Sequence, residues 1–308
     1  MRRNGHIRVG SRRSKLAITQ SQSVITELVK VHPDLEFELI EVVTTGDRHR
    51  QISLEELGGE GVFVRELEQA LEQNRIDLAV HSAKDMPTKI AEGLRLAAIS
   101  KRVDPRDVIV SRSGKLSELA SGARVGTGSQ RRAVQLRVQR PDVEVCGLRG
   151  NVDTRLRKVS SGELDAVLLA AAALIRLGME DRITESLDPD SFTPAVGQGA
   201  LGIEIRADDV DMAEIVAPLN HESTWLSVLA ERAFLEALGG GCRAPIAALG
   251  NVDAGVLHMH GIVANPSGSD ILRAEVSGGV ADPESVGRML AQKMMEIGAA
   301  SLVERKQI

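Results

Sequence analysis

From His6 onward, short apolar runs alternate with longer amphipathic stretches, and nothing else in the chain narrows the choice of fold as much. His6 to Gly10, Leu35 to Leu39, Ile76 to Val80 and Leu94 to Ile99 read as strands, with helices at Lys15 to Lys30 and Val62 to Gln73 between them. The first helix places Leu16, Val24, Leu28 and Val29 along one side. Strands separated by helices of this length build parallel sheets, because a parallel neighbour requires a long crossover. The pattern pauses at Asp104-Pro105-Arg106-Asp107. It resumes with strands at Val108 to Val110, Arg124 to Gly126, Val143 to Cys146 and Asp165 to Leu169, and helices at Gln130 to Val138 and Val152 to Ser160. It pauses again at Pro194 to Ala200 before a strand at Gly202 to Arg206.

The two pauses read as crossings between two α/β units. A short echo, Ile76-Asp77-Leu78-Ala79-Val80 against Leu164-Asp165-Ala166-Val167-Leu168, points to two similar lobes facing a cleft. After Asn220 the character changes. A helix from Ser223 to Leu238 is followed by strands at Val256 to Val263 and Ile271 to Val276 with no helix between them, then a helix at Pro283 to Ile297. This predicts a small α+β domain with an antiparallel sheet. The expected domains are 1–100 with 199–219, then 101–198, then 220–308.

Composition removes several functions. Aromatic residues are 2% of the chain, with no Tyr, so aliphatic side chains fill the cores and base-stacking platforms for nucleic acid are not expected. A net charge of −5 also argues against nucleic acid. Two cysteines fit a reducing compartment, and Cys146, in an apolar strand, reads as core. The longest apolar run, Ala166 to Ile175, is far short of the ~20 residues a membrane span needs, so a cytoplasmic protein with no membrane partner is expected. His258 and His260 share a strand face without a third ligand, so no metal site is expected.

Cations nevertheless cluster in three strand-to-helix turns: Gly10 to Ser14, Gly126 to Arg132, and Gly147 to Arg155. In open α/β sheets ligands bind past the carboxyl ends of strands, where helix N-termini offer free N–H groups. Guanidinium forks there suit carboxylates, so a small polyanion fits better than a nucleotide, for which Gly126-x-Gly128 lacks the third glycine. His81-Ser82-Ala83-Lys84-Asp85-Met86-Pro87 follows a buried strand and offers Asp85 as an acid/base or a stabiliser of positive charge. Gly239-Gly240-Gly241-Cys242-Arg243 presents a thiol beside a cation. It reads either as a helix-ending turn with an incidental cysteine or as an exposed sulfur meant to hold something.

These stretches, with Thr45-Gly46-Asp47, Asp104 to Asp107, Arg149 to Leu156, Pro194 to Ala200 and Gly240-Gly241-Cys242, resemble the porphobilinogen deaminase (hydroxymethylbilane synthase) family over nearly the whole chain. The resemblance implies two lobes of the type II periplasmic-binding-protein kind, and a third domain whose Cys242 carries one dipyrromethane cofactor per chain through a thioether. It implies a transferase of tetrapyrrole and haem biosynthesis, acting as a monomer on porphobilinogen. Four units are condensed with loss of ammonia, and water then releases the linear tetrapyrrole.

By motif, the resemblance makes Asp85 catalytic and assigns Lys84, Asp85, Thr127, Ser129, Arg131, Arg132 and Arg155 to the cofactor. Arg12, Ser14, Gln20, Arg149, Arg155, Arg176 and Gln198 fall to the substrate or growing chain. Two departures stand out: Glu60 where relatives carry lysine, and Gly128 where serine is usual. The alternative reading is a non-catalytic two-lobed receptor for a small polycarboxylate.

Overall fold

The structure, a computed structural model, describes residues 5–43, 64–239 and 245–303. Two compact units account for them, Met1–Val103 with Ala200–Trp225, and Asp104–Gly199 with Leu226–Ile308. The chain therefore passes between them at the two stretches where the strand–helix pattern pauses, and a third time between Trp225 and Leu226.

The first unit contains a five-stranded sheet. Its strands are β1 (His6–Arg12), β2 (Glu36–Val42), β3 (Leu78–Ser82) and β4 (Leu94–Ile99), joined by β10 (Leu201–Arg206) after the return crossing, in the order β2-β1-β3-β10-β4. β1, β2 and β3 are parallel, and β10 runs antiparallel to both its neighbours. Helix α1 (Lys15–Val31) covers one face, where Val24, Ile25 and Leu28 pack with Ile7, Val9, Leu78 and Val80. Helix α2 (Arg65–Glu72) covers the other, with Leu67, Ala70 and Leu71 against Ile76 and Ala79. Burial of both faces explains why successive residues Leu78, Ala79 and Val80 of β3 are all apolar.

The second unit repeats the design. Its strands are β5 (Asp107–Ser111), β6 (Arg124–Thr127), β7 (Glu144–Gly147), β8 (Ala166–Ala170) and β9 (Glu185–Ser186), in the order β7-β6-β8-β5-β9. β6 is parallel to β7 and β8, while the crossing strand β5 is antiparallel to its neighbours. Each sheet thus has a parallel trio followed by an antiparallel strand delivered from the other unit. That is the lobe topology the resemblance implies. The echoed pentapeptides fall on β3 and β8, which hold the same place in the two sheets. Helices α3 (Gln130–Gln139), α4 (Val152–Ser160) and α5 (Ala171–Arg176) follow β6, β7 and β8.

Past helix α6 (Val210–Val216) and helix α7 (Glu222–Ala237), strands β11 (Ile246–Asp253), β12 (Val256–Ala264) and β13 (Ile271–Gly279) form an antiparallel sheet. Phe234 of α7 and Leu290 and Met294 of α8 (Pro283–Glu296) pack with Leu257, Met259 and Val263 to make its core. A last short helix, α9 (Ala300–Val303), follows. Among the described residues, no helix is long and apolar enough to cross a membrane.

Candidate active site

In the first unit, β1 and β3 are parallel neighbours, so the residues after them gather at one edge of the sheet. β1 ends at Arg12. Ser14 caps α1, its Oγ accepting from the Ala17 N–H at 3.2 Å, and Gln20 is buried further along the same helix. β3 ends at Ser82, and a single 3₁₀ turn, Ala83–Asp85, carries the half-buried Lys84 and Asp85. That turn is tied down at both ends. Ala83 N–H donates to the Ala200 carbonyl at 3.0 Å, and buried Met86 lies over Gly202, its Sδ only 2.5 Å from where a Cβ would stand. A methyl group at 202 would force the Met86 side chain out of its place.

In the second unit, β6, β7 and β8 deliver the remaining candidates. Thr127 Oγ1 accepts from the Ser129 N–H at 3.2 Å, and Ser129 Oγ caps α3 by accepting from Arg132 N–H at 3.4 Å. Gly128 lets this turn lie against the next one: a Cβ there would sit 2.4 Å from the Leu148 carbonyl oxygen. Asn151 caps α4 by accepting from Thr154 N–H at 2.9 Å, and Arg155 Nε donates to the Gly150 carbonyl at 2.8 Å, bracing the turn that carries exposed Arg149. Arg176 donates from Nη2 to the Gly199 carbonyl at 2.7 Å.

The electrostatics of this second group are unusual. Burial, followed by the charges of Arg132 and Arg149, pulls the Arg155 guanidinium down to about 10. Burial alone does the same to Arg176, also to about 10. Neither has a carboxylate partner among the described residues. A cation whose charged form is disfavoured by its surroundings lacks compensation, and a carboxylate-bearing ligand supplies it.

Arg131 and Arg132 are compensated from within. Asp107, fully buried at the start of β5, accepts from Arg131 Nη1 at 2.5 Å and from Arg132 Nε at 2.9 Å. Arg131 also donates to the Thr193 carbonyl at 2.7 Å, and Arg132 to the Leu168 carbonyl at 3.2 Å. Gln198 Nε2 donates to Asp107 Oδ1 at 2.9 Å and to the Pro105 carbonyl at 2.7 Å. This joins the outgoing crossing (Asp104 to Asp107) to the return crossing (Pro194 to Ala200).

With this geometry in view, two family models cover the chain. One, described as "Porphobilinogen deaminase, dipyromethane cofactor binding domain", matches residues 7–214. The chain belongs to the porphobilinogen deaminase family. The second, the porphobilinogen deaminase C-terminal domain, matches residues 225–296. The porphobilinogen deaminase of Bacillus subtilis (strain 168) is 47% identical over 302 residues, covering 97% of this chain and 96% of that protein. That of Syntrophobacter fumaroxidans is 46% identical over 299 residues, covering 97% of each. A solved structure of a putative methionine-binding lipoprotein from Bacillus subtilis overlays with a TM-score of 0.44 at 11% identity, covering 70% of this chain and 90% of that one. That overlay is too loose to add to the strand order already described.

Membership makes the chain a transferase of tetrapyrrole biosynthesis, and the family model named for the dipyrromethane cofactor matches residues 7–214. The structure gathers Arg12, Ser14, Lys84 and Asp85 at the carboxyl edge of one sheet. It gathers Thr127, Ser129, Arg149, Arg155 and Arg176 around the corresponding edge of the other. Gln198, Arg131 and Arg132 belong to the network at the crossings. Cys242, Glu60 and Thr45-Gly46-Asp47 lie outside the described residues. Cys146, on edge strand β7, is half-buried and packs against the core that includes Leu148, Leu156 and Val167.

Asp107 and Glu204 escape a reading of the sequence alone. Asp107 is hidden in a proline-containing turn. Glu204 alternates with Ile203 and Ile205 and so imitates a solvent-facing position, yet it is fully buried. The usable signal for Asp107 is an acid that opens the apolar strand Val108 to Val110.

Proposed function

We propose that the chain is a hydroxymethylbilane synthase that joins four porphobilinogen molecules head to tail on a dipyrromethane held by Cys242 through a thioether. The observation that carries this reading is the pair of half-buried guanidiniums, Arg155 and Arg176, that lack carboxylate partners among the described residues in a family whose binding domain is named for a polycarboxylate pyrrole cofactor. When bound, dipyrromethane supplies the free pyrrole carbon on which the first substrate unit is placed. Lys84, Thr127, Ser129, Arg131, Arg132 and Arg155 would hold its carboxylates. Arg131 does so with the N–H groups not committed to Asp107 and Thr193.

Each substrate brings an acetate and a propionate, and Arg12, Ser14, Gln20, Arg149, Arg155, Arg176 and Gln198 are assigned to them. Gln198 acts by fixing Arg132 through Asp107. In each round the bond between the aminomethyl carbon and nitrogen of porphobilinogen breaks, and ammonia leaves with the electron pair. The methylene carbon left behind is cationic. Asp85, fixed by the anchored turn after β3, lies its carboxylate against that cation and the ring N–H. A new carbon–carbon bond forms and the attacked pyrrole carbon loses its proton. After four rounds water releases the linear product. The reading takes 1–100 with 199–219, 101–198 and 220–308 as three domains, and the protein as a cytoplasmic monomer.

Intact mass decides it. Purified active protein is expected to exceed its sequence mass by two linked pyrrole units, and Cys242→Ser to lose that excess along with ammonia release. Active protein at the unmodified mass overturns the reading, and unmodified protein that binds a polycarboxylate reversibly without releasing ammonia returns the chain to a receptor.

A further inference from the structure

A second buried polar pair lies under the Lys84–Asp85 turn, and the reaction described above makes no use of it. His81 Nε2 stands 2.9 Å from Glu204 Oε2, the histidine nearly and the glutamate fully buried. The other oxygen, Glu204 Oε1, is buried with no hydrogen-bond partner among the described residues. An acid held this way is costly. Breaking a buried polar pair leaves a charge stranded, whereas replacing both members with apolar groups is often neutral or favourable. Local rules broken at such cost concentrate at functional places.

The register shows what the pair adjoins. His81 stands opposite Gly202 across antiparallel β3 and β10, so His81, Gly202 and Glu204 share one face. Met86, which follows Asp85 directly, rests on Gly202 on that same face. On parallel β1, Gly10 stands opposite Ala79, so two residues further on Arg12 is level with His81 and faces the same way. Helix α2 closes this face and contributes Glu68. Burial, then the charge of Glu204, raises the Glu68 carboxyl, while His81 lowers it. The other charged residues of α2 are Arg65, Glu66 and Glu72. On β4 the residue opposite Glu204 is Leu96, which carries no charge. His81 therefore stands in a row with a buried acid on one side and Arg12 on the other, four residues before Asp85.

We propose that His81 and Glu204 are positioning residues for turnover: Glu204 fixes the imidazole, and the imidazole's charge sets the field at the Lys84–Asp85 turn without touching substrate. This rests on the reading of Asp85 as the catalytic carboxylate. Glu204→Gln keeps the shape and a hydrogen bond to the ring but removes the charge.

The expected result is a kcat lower by about tenfold, the size found when an outer partner of a reacting group is lost. KM should stay within about twofold, the thermal midpoint should not fall, and the alkaline limb of the pH–rate profile should move to lower pH, because imidazolium loses its counter-charge. His81→Gln should abolish that limb. Should Glu204→Gln fold poorly, Asp85→Asn carries the test through the ring resonances of His81, identified by their loss in His81→Gln. Coupling is reciprocal, so removing the Asp85 charge must move the His81 titration to lower pH.

A Glu204→Gln enzyme with wild-type kcat and pH profile overturns the proposal, as does an unmoved His81 titration in Asp85→Asn. The two readings fail separately. Normal turnover in Asp85→Asn sinks the role of Asp85 itself; lost turnover there with a normal Glu204→Gln sinks only the pair.

Discussion

The two five-stranded sheets share one strand order, and each receives its antiparallel strand from the other unit, yet they bury an acid on that strand in different ways. On β5, Asp107 meets two guanidiniums and an amide, with both oxygens bonded. On β10, Glu204 meets a single imidazole, and one oxygen has no partner among the described residues. Guanidinium stays charged throughout the range in which proteins fold, whereas imidazole changes charge near neutrality. The same topology thus gives one acid permanently charged partners and the other a single partner of a type whose charge is not permanent. A buried ionic group is structural when its partners are permanent and complete. It becomes available for function when they are neither.

The contrast is most exposed to a change at Asp107. Asp107→Leu strands two buried guanidiniums, and the expected loss is about 3–5 kcal/mol, read by hydrogen exchange of the β5 and β8 amides. Unchanged protection there would mean that the crossing network is incidental.

Acid sharpens the same point. Burial pushes the Asp107 carboxyl up, but the charges of Arg131 and Arg132 and the hydrogen bonds to Arg131 and Gln198 outweigh it and hold it well below the usual carboxylate range. The unfolded chain binds that proton near pH ~3.9 and the folded chain only at much lower pH. Its stabilisation is therefore complete above that value and drains away as the pH falls below it. Asp107→Asn should flatten this part of the acid-unfolding curve, and a curve parallel to wild type would contradict the compensation described.

Gly128→Ser tests how closely the two cationic turns of the second sheet are pressed together. With a Cβ facing the Leu148 carbonyl oxygen at 2.4 Å, the expected cost is about 1–3 kcal/mol in urea unfolding. A serine accepted at no cost would place the turns farther apart. The smallest effect belongs to the first sheet. Replacing the pair together, His81→Phe with Glu204→Leu, should leave stability unchanged or raise it by about 1 kcal/mol while turnover falls. A loss comparable to Asp107→Leu would erase the difference between the sheets.

Much of this was legible in one dimension. The alternation of strand and helix predicts both lobes. The proline-bearing pauses predict the crossings, and the echo between Ile76–Val80 and Leu164–Leu168 predicts the repeated sheet position. Strand Ile246–Asp253 is not legible, because Ile246-Ala247-Ala248-Leu249-Gly250 lacks alternation, and Gly250 is chosen by its contact with Ser227. Helix Val210–Val216 is too short for its periodicity to register. At the site, the turns bearing Arg12, Thr127 and Arg149 stand out because glycines and cations sit together before a helix, and Lys84-Asp85 because paired charges directly follow a buried strand. The engagement of Arg131 and Arg132 with Asp107 does not, because every arginine in a turn looks alike until its partners are known.

The sequence by itself determined the class of fold, the family, and the carboxylate-binding character of the turns, because periodicity and turn chemistry act between near neighbours. Only the tertiary structure decided which charges are spoken for and which remain to meet a ligand. Compensation depends on distance in space: His81 and Glu204 are 123 positions apart along the chain and 2.9 Å apart in the fold.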